Sequence, residues 1–277
     1  MARRATAAVA TAAAEQPAIT YSVIVPTYNE RENIPIFAAL LSEALGDYRD
    51  DSDQIQDQDP DLRDRGRAHA VSWELIVVDD ASPDGTADAV RRLQACFPPG
   101  RVVLAERPAK LGLGSAYRHG LAHSSGEWVA LMDADLSHHP RDLPRLISAQ
   151  RATGADVVSG TRYSGGGGVA GWDLRRKLTS RGANVLASAL LGTRRIGDLT
   201  GAFRLYRRPV LERLLGQVAS AGYAFQMEAA ARCEHTPGLV VAEVPIVFVD
   251  RLYGCSKLGS AEIWLFLRGL LRLLVTL

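Results

Sequence analysis

Apolar residues fall along this chain in two alternating rhythms. Tyr21–Pro26 (YSVIVP), Trp73–Val78 (WELIVV), Val102–Leu104, Trp128–Met132 (WVALM) and the run opening at Asp156–Ser159 are short, nearly unbroken apolar stretches rich in β-branched residues. Stretches of that length read as strands covered on both faces. Between them lie amphipathic segments over Ile34–Leu45, Ala87–Phe97, Ser115–Ala122 and Leu143–Arg151. The first has Asn33 as a candidate cap and Pro35 in its opening turn, where a missing N–H costs nothing. The alternation predicts an α/β fold: a single open, mostly parallel, twisted sheet with helices on both faces.

The rhythm changes after residue 160. Ser164–Gly168 is a glycine-rich loop, Arg175–Leu191 a basic-headed amphipathic helix, Gly201–Tyr206 β-like, Val210–Leu215 and Phe225–Cys233 helical, and Val240–Val249 β-like. We read residues 20–260 as one domain carrying a charged loop insertion over 46–71. Asp47–Arg67 holds eight Asp and four Arg with almost nothing apolar, the composition of a solvated loop. Residues 1–19 are Ala-rich and lack the apolar run of a signal peptide, so they read as a disordered extension. Residues 261–277, ending EIWLFLRGLLRLLVTL, form an amphipathic helix with Arg268 and Arg272 one turn apart. Such a helix either lies in a membrane interface or against a membrane partner, or packs on the domain itself. No run of ~20 apolar residues occurs, so no spanning helix is expected.

The formal net charge is +1, which gives no global field for nucleic acid. An anionic ligand must therefore be held by local clusters. The three cysteines, Cys96, Cys233 and Cys255, are far apart and form no CxxC pair, which argues against a zinc site or disulfide framework. Acidic residues, by contrast, sit at strand ends: Asp79 and Asp80 close the second strand, Asp133 and Asp135 the fourth. Ligands of open parallel sheets bind beyond those ends. Two carboxylates separated by one residue suit a hard cation that completes its shell with substrate phosphate oxygens. At the end of the first strand, Tyr28 suits a base and Glu30 a base or ribose hydrogen bond. Gly112-Leu113-Gly114 lacks the third glycine of a dinucleotide fingerprint, Tyr117 standing there instead, so it reads as a backbone turn. The adjacent His138 and His139, beside Pro140, are poor metal ligands.

VPTYNE, VVDDASPDGT, KLGLGSAYRHG, LMDADLSHHP, SGTRY, RRKLTSRGAN, DLTGAFRLYRR and VDRLYGCSKLG resemble the dolichol-phosphate mannosyltransferase branch of the inverting family 2 glycosyltransferases. The resemblance runs from about Tyr21 to about Leu277, and its shorter form is similar to the eukaryotic type that ends without membrane-spanning helices. It implies a GT-A fold and transfer of mannose, with inversion, from GDP-mannose to dolichyl phosphate, giving dolichyl β-mannosyl phosphate for glycosylation and GPI-anchor synthesis. Pro26, Tyr28, Glu30, Val78 and Asp80 would line the guanosine pocket. Asp133, Ala134 and Asp135 would meet ribose, diphosphate and metal, with Asp133 and Asp135 as ligands of Mg²⁺ or Mn²⁺. Ser137 stands where some relatives carry Gln. Arg162 would touch phosphate, and Arg251 and Lys257 would close over the donor. Glu228 is structural or substrate-orienting. The acceptor is a phosphomonoester, whose second pKa is about 6. It is anionic at neutral pH and needs a cationic cradle rather than a general base; Arg162, Arg176 and Ser180 are the candidates. By the same resemblance the protein works peripherally at the cytosolic face of the endoplasmic reticulum membrane, with small membrane-spanning accessory subunits. The alternative is a polyprenyl-phosphate glucosyltransferase using UDP-glucose. An oxidoreductase lacks its fingerprint on the first strand.

Overall fold

The computed structural model describes residues 19–46, 71–220, 223–251 and 260–276. The Ala-rich start, nearly all of the charged insertion and Lys257 lie outside the described residues. In chain order the elements are β1 (Tyr21–Thr27), α1 (Asn33–Gly46), β2 (Trp73–Asp79), α2 (Thr86–Gln94), β3 (Val102–Glu106), α3 (Leu113–Ala122), β4 (Trp128–Leu131), a 3₁₀ turn (Pro140–Asp142), α4 (Leu143–Thr153), β5 (Val157–Thr161), β6 (Gly168–Ala170), α5 (Leu174–Leu191), β7 (Arg204–Arg207), α6 (Arg208–Gln217), α7 (Tyr223–His235), β8 (Val241–Pro245), β9 (Val247–Val249) and α8 (Ser260–Thr276).

Seven of these strands form one sheet in the order β3-β2-β1-β4-β7-β5-β8. All pairs are parallel except those of β7, which runs antiparallel between β4 and β5. Because β7 reverses between them, β1, β2, β4 and β5 all point their carboxyl ends to the same edge, and β7 begins there. Buried apolar residues lie on both faces. One layer joins the sheet to α1, α2 and α4 through Phe37, Leu41, Val90 and Leu146. The other joins it to α3, α5, α6, α7 and α8 through Tyr117, Leu191, Leu214, Phe225 and Leu270. Helix α3 crosses the sheet at Gly120, where a Cβ would stand 2.5 Å from Ile24 Cγ2 and 2.9 Å from Val78 Cγ2; only a bare backbone fits so close.

Three features depart from the sequence reading. Helix α2 ends at Gln94, three residues before Phe97, as the chain turns at Ala95 and Cys96 ahead of Pro98. The Val240–Val249 stretch is two strands. Ile246 divides them by donating its N–H to Thr161 O in the main sheet while its carbonyl accepts from Gly168 N, so β9 peels off to pair with β6 in a separate two-stranded ribbon. Asn33 does not cap α1: its side-chain amide donates to Glu30 Oε2 at 2.7 Å, and its buried Oδ1 has no partner among the described residues.

Candidate active site at the sheet edge

Among the described residues, three with side chains adopt the left-handed backbone region: Asn29 (φ 61°), Ala81 (φ 55°) and Leu136 (φ 61°). Each follows the carboxyl end of a strand, β1, β2 and β4 respectively. That conformation costs about 1–2 kcal/mol for an L-residue other than Gly, with Asn the most tolerant. Such strain concentrates at functional sites, where surrounding bonds hold it. Here the β1 and β2 loops are laced together. Asn29 N donates to Ser82 Oγ, Glu30 N to Thr86 Oγ1 and Arg31 N to Asp84 Oδ2. Asp79 accepts from Thr27 Oγ1, Ser82 N and Ser82 Oγ; it is a brace of the loop, while Asp80 faces the next strand's end. Arg107, one residue past β3, donates through Nε to Asp80 Oδ1 at 2.6 Å and through Nη1 to Ser115 Oγ at 2.7 Å. Both Arg107 and Asp80 are buried.

On the outer side of this edge Tyr28 is 41% exposed, with Lys110 Nζ 4.3 Å from its ring centre. Val78 departs from the expected guanosine lining: its side chain is fully buried against α3, because β2 is a central strand there. Only its backbone could meet a ligand. Ala134 is likewise buried.

The carboxylates beyond β4 form the centre. Asp135 Oδ1 accepts from Ser137 N at 3.0 Å and Ser137 Oγ at 2.5 Å, and its Oδ2 meets Arg251 Nε at 2.7 Å. Ser137 is therefore a brace that aims Asp135. Asp133 keeps 39% of its side chain exposed. The crowding of protein around it, and then the Asp135 charge, raise its pKa to about 7, against the pull of Arg251 and Arg162. Glu30 is raised as well, first by burial and further by Asp135 and Asp133; the Asn33 bond and Arg251 oppose the rise. Three carboxyl groups thus share a place short of positive charge, and Arg251 acts as a built-in counter-cation. Among the described residues no group of three or more His, Cys, Asp or Glu could hold a metal ion unaided. The pair Asp133 and Asp135 fits a hard divalent cation whose remaining ligands are oxygens of a substrate.

His138 lies beneath this loop. Burial drives its imidazole down to about 4, and its Nδ1 accepts the Asp133 N–H at 3.4 Å. Its ring packs on Phe203 and Phe248. His139 Nδ1 accepts from Arg141 N and so starts the 3₁₀ turn.

Arg162, just past β5, is a second cation that, like Arg251, draws the Asp133 pKa down. Its Nε and Nη2 donate to Asp198 Oδ2 and Oδ1 at 2.7 and 2.8 Å, and Nη2 also reaches Thr200 Oγ1 at 2.7 Å. Burial pulls its pKa down, but Asp198 more than reverses the pull and holds the guanidinium charged; Asp198 is lowered in return. None of these bonds uses Nη1. Asp198 is fully buried, and its carbonyl and that of Leu199 accept from Arg204 Nη2. Arg204 is itself fully enclosed, bonded also to Ser159 Oγ and Gln226. Tyr163 OH lies 2.7 Å from Ser180 Oγ, which joins the β5 end to α5. Arg176 sits in the first turn of α5, whose cap Asp173 accepts the Arg176 N–H. Its Nη1 is 3.4 Å from Asp250 Oδ1, and its guanidinium stacks 4.0 Å from the Trp172 ring centre. Glu228 is committed elsewhere, accepting from Ala219 N, Ser220 N and Arg232 Nε, which is the structural role.

The edge therefore brings together Tyr28, Glu30, Asp80, Asp133, Asp135, Arg162 and Arg251, with Arg176 and Ser180 joined to it through Tyr163, Trp172 and Asp250. Arg107 and Asp198 were missed from sequence. Arg107 had a signal, since it follows β3 as Asp80 follows β2. Asp198 is an acid in a loop until the fold puts it under Arg162.

Residues 61–215 match the sequence pattern described as glycosyl transferase family 2. Over 247 residues the chain is 39% identical to polyprenol monophosphomannose synthase of Mycolicibacterium smegmatis, covering 87% of this chain and 82% of that protein. It is 34% identical over 254 residues to dolichol-phosphate mannosyltransferase of Pyrococcus furiosus, covering 91% of this chain but 63% of that longer protein. Among solved structures, mannosyltransferase PcManGT from Pyrobaculum calidifontis, in complex with GDP-Man and Mn²⁺, superposes with a TM-score of 0.53 at 24% identity, over 90% of this chain and 63% of that one. Glucosyl-3-phosphoglycerate synthase from Mycobacterium tuberculosis, in complex with Mn²⁺, UDP and phosphoglyceric acid, superposes at 0.58 with 21% identity, over 93% and 78%.

Proposed function

The chain belongs to glycosyl transferase family 2 and has a GT-A fold, and from that premise we propose that it transfers mannose from GDP-mannose to a polyprenyl phosphate of the dolichyl type. The observation that carries this reading is the meeting, at one sheet edge, of a cation-seeking carboxylate pair with two arginines beyond it. Asp133 and Asp135 would hold Mg²⁺ or Mn²⁺, which when bound neutralises charge on the departing diphosphate. Tyr28, Glu30 and Asp80 take the nucleoside side, where Arg107 fixes the Asp80 carboxylate through Oδ1. Arg251 is placed to exchange its Asp135 partner for donor phosphate.

The acceptor phosphate enters from the α5 side. Being dianionic at neutral pH, it attacks without losing a proton, and no side chain at the edge is required as a base. Arg162 offers the Nη1 that Asp198 leaves unused, and Arg176 offers a second guanidinium. Attack from the face opposite the diphosphate inverts the sugar carbon. The two names that the sequence relatives carry, both phosphomannose or mannosyltransferase enzymes of polyprenols, support the same donor and acceptor.

The lipid substrate requires a membrane surface. No helix among the described residues is long and apolar enough to cross one. Instead, α5 exposes Leu174, Leu178, Val185, Leu186 and Leu190, and α8, which touches α5, exposes Leu267, Leu271, Leu274 and Val275. Exposed apolar residues of two touching helices suit docking on a lipid face, with α8 also available to small membrane-spanning subunits. Removal of residues 262–277 is expected to release the protein from membranes; unchanged partition in a flotation assay would end that part of the reading.

The enzymatic test is transfer of labelled sugar to dolichyl phosphate from GDP-mannose and, in parallel, from UDP-glucose, with Mg²⁺ or Mn²⁺ and an Asp135→Ala control. Mannose transfer that disappears in the control is the expected result. Transfer of glucose instead would overturn the donor.

A further inference from the structure

Arg162 and Arg176 share no bonded partner. The first is held by Asp198 and Thr200, the second by Asp250. What they share is one aromatic ring. The Arg176 guanidinium carbon lies 4.0 Å from the centre of the Trp172 indole, and that of Arg162 lies 5.9 Å from it. Phe248 meets Trp172 edge-on at 5.4 Å, stands 5.4 Å from Arg162, and meets His138 at 5.4 Å on its other side. An aromatic row thus runs from the loop of Asp133 and Asp135 to the first turn of α5.

The indole is also fixed through its backbone. Gly171, immediately before it, has φ 84°, and a Cβ there would come within 2.8 Å of Asp250 Cβ. Ala170 O accepts from Asp250 N at 3.1 Å. The segment that carries Trp172 is therefore pressed against the segment that carries Asp250, the ion-pair partner of Arg176. Two buried donors of this stacked pair, Trp172 Nε1 and Arg176 Nε, have no acceptor among the described residues. Buried donors are rarely left so without a functional reason. Arg176 is thus held by the ring face as well as by Asp250, and the ring contact favours a cation without neutralising it.

We propose that Trp172 is a positioning residue of the acceptor site: its ring holds the Arg176 guanidinium beside Arg162, so that both cations meet one phosphomonoester. This rests on the reading of those two arginines as acceptor ligands. The test is the equilibrium affinity of the full chain for farnesyl phosphate, measured by calorimetry. The proteins compared are wild type, Trp172→Phe, Trp172→Leu, Arg176→Ala and the Trp172→Leu/Arg176→Ala double variant, with GDP-mannose affinity measured alongside. Loss of the ring in Trp172→Leu is expected to weaken farnesyl phosphate binding ~3–30-fold, while Trp172→Phe, which keeps a ring, changes it by less than ~3-fold. GDP-mannose affinity stays within ~2-fold, and Trp172→Leu adds less than ~2-fold in the Arg176→Ala background, because the two residues act as a unit. Fully additive losses, a Trp172→Phe loss as large as that of Trp172→Leu, or equal loss of GDP-mannose binding would overturn the proposal. So would an unchanged Trp172→Leu affinity, with the acceptor reading left standing. A wild-type protein that binds GDP-mannose but not farnesyl phosphate would overturn both.

Discussion

The acids at the ends of β2 and β4 and the arginines beyond β5 face the same edge of the sheet, yet they are held there in opposite ways. Asp79, Asp84 and Asp135 are each tied by a hydroxyl and an N–H from residues two or three positions further on: Ser82, Thr86 and Ser137. The acid and its brace travel together in the chain. Arg162 and Arg176 depend on groups far away: Asp198 is 36 residues on and Asp250 is 74. The first arrangement is a set of self-contained loops mounted on parallel strands. The second exists only when β5, the 198–203 turn, α5 and β9 have all assembled. A negatively charged half that is prebuilt locally therefore faces a positively charged half built by tertiary structure. The contrast predicts that substitutions in the first half damage ligand binding while sparing the fold, and that those in the second damage both.

The largest expected effect is at the centre. Asp135→Ala should reduce mannose transfer by about a thousandfold, the loss typical of removing a principal charge-stabilising group, and should abolish Mn²⁺ binding in a calorimetric titration while leaving thermal unfolding near wild type. Asp198→Ala should do the reverse in stability. It removes one side of a buried, doubly bonded ion pair and leaves Arg162 uncompensated, at a cost of about 3–5 kcal/mol, to be read from denaturant unfolding. If the two variants lost stability equally, the contrast between local and distant bracing would fail.

Arg251→Ala should move in the opposite direction from every other substitution at the site. Without the guanidinium on Asp135 Oδ2, the ligand-free protein should take up Mn²⁺ about three- to tenfold more tightly, a partly exposed, solvent-screened charge effect, while GDP-mannose binding weakens. Weaker Mn²⁺ binding would show that Arg251 supports the cation site rather than standing in for the cation. A smaller effect concerns protons. The Asp133 pKa of about 7 lies above its ordinary 3.8, so in the metal-free protein this carboxyl is protonated below about pH 7. A metal must displace that proton. Apparent Mn²⁺ affinity should therefore fall as pH drops from 8 to 6, by at most about tenfold per unit below 7, and the slope should flatten in Asp133→Asn. An unchanged slope in that variant would assign the proton elsewhere.

The same contrast explains what could be read before the fold was known. β2 and β4 are apolar runs closed by acids, and side-chain period plus strand polarity suffice to place Asp80, Asp133 and Asp135 on one edge. Ser137 is two residues from the carboxylate it aims, so its brace lay open in the sequence, although Gln in relatives drew attention from it. The antiparallel course of β7 was not legible, because four residues of apolar alternation carry no direction. Nor was the split at Ile246, which depends on two partners, Thr161 and Gly168, that lie more than seventy residues earlier. Asp198 and Trp172 were hidden for the same reason: each acquires its meaning from a cation brought to it by tertiary structure. Val78 erred the other way. The family resemblance implied a ligand contact there, but the glycine of α3 brings a helix down upon its side chain.

The reversed strand has a consequence for how the molecule is made. β7 fills the slot between β4 and β5, so on a ribosome that slot stays empty from the emergence of Leu131 until that of Arg207. At a synthesis rate of ~5–20 residues per second, that leaves β4 with an unpaired edge for about 4–15 s. During that interval the nascent first half offers other chains the pairing surface that β7 will later close, and a chaperone that shields this one strand would be of most use in those seconds.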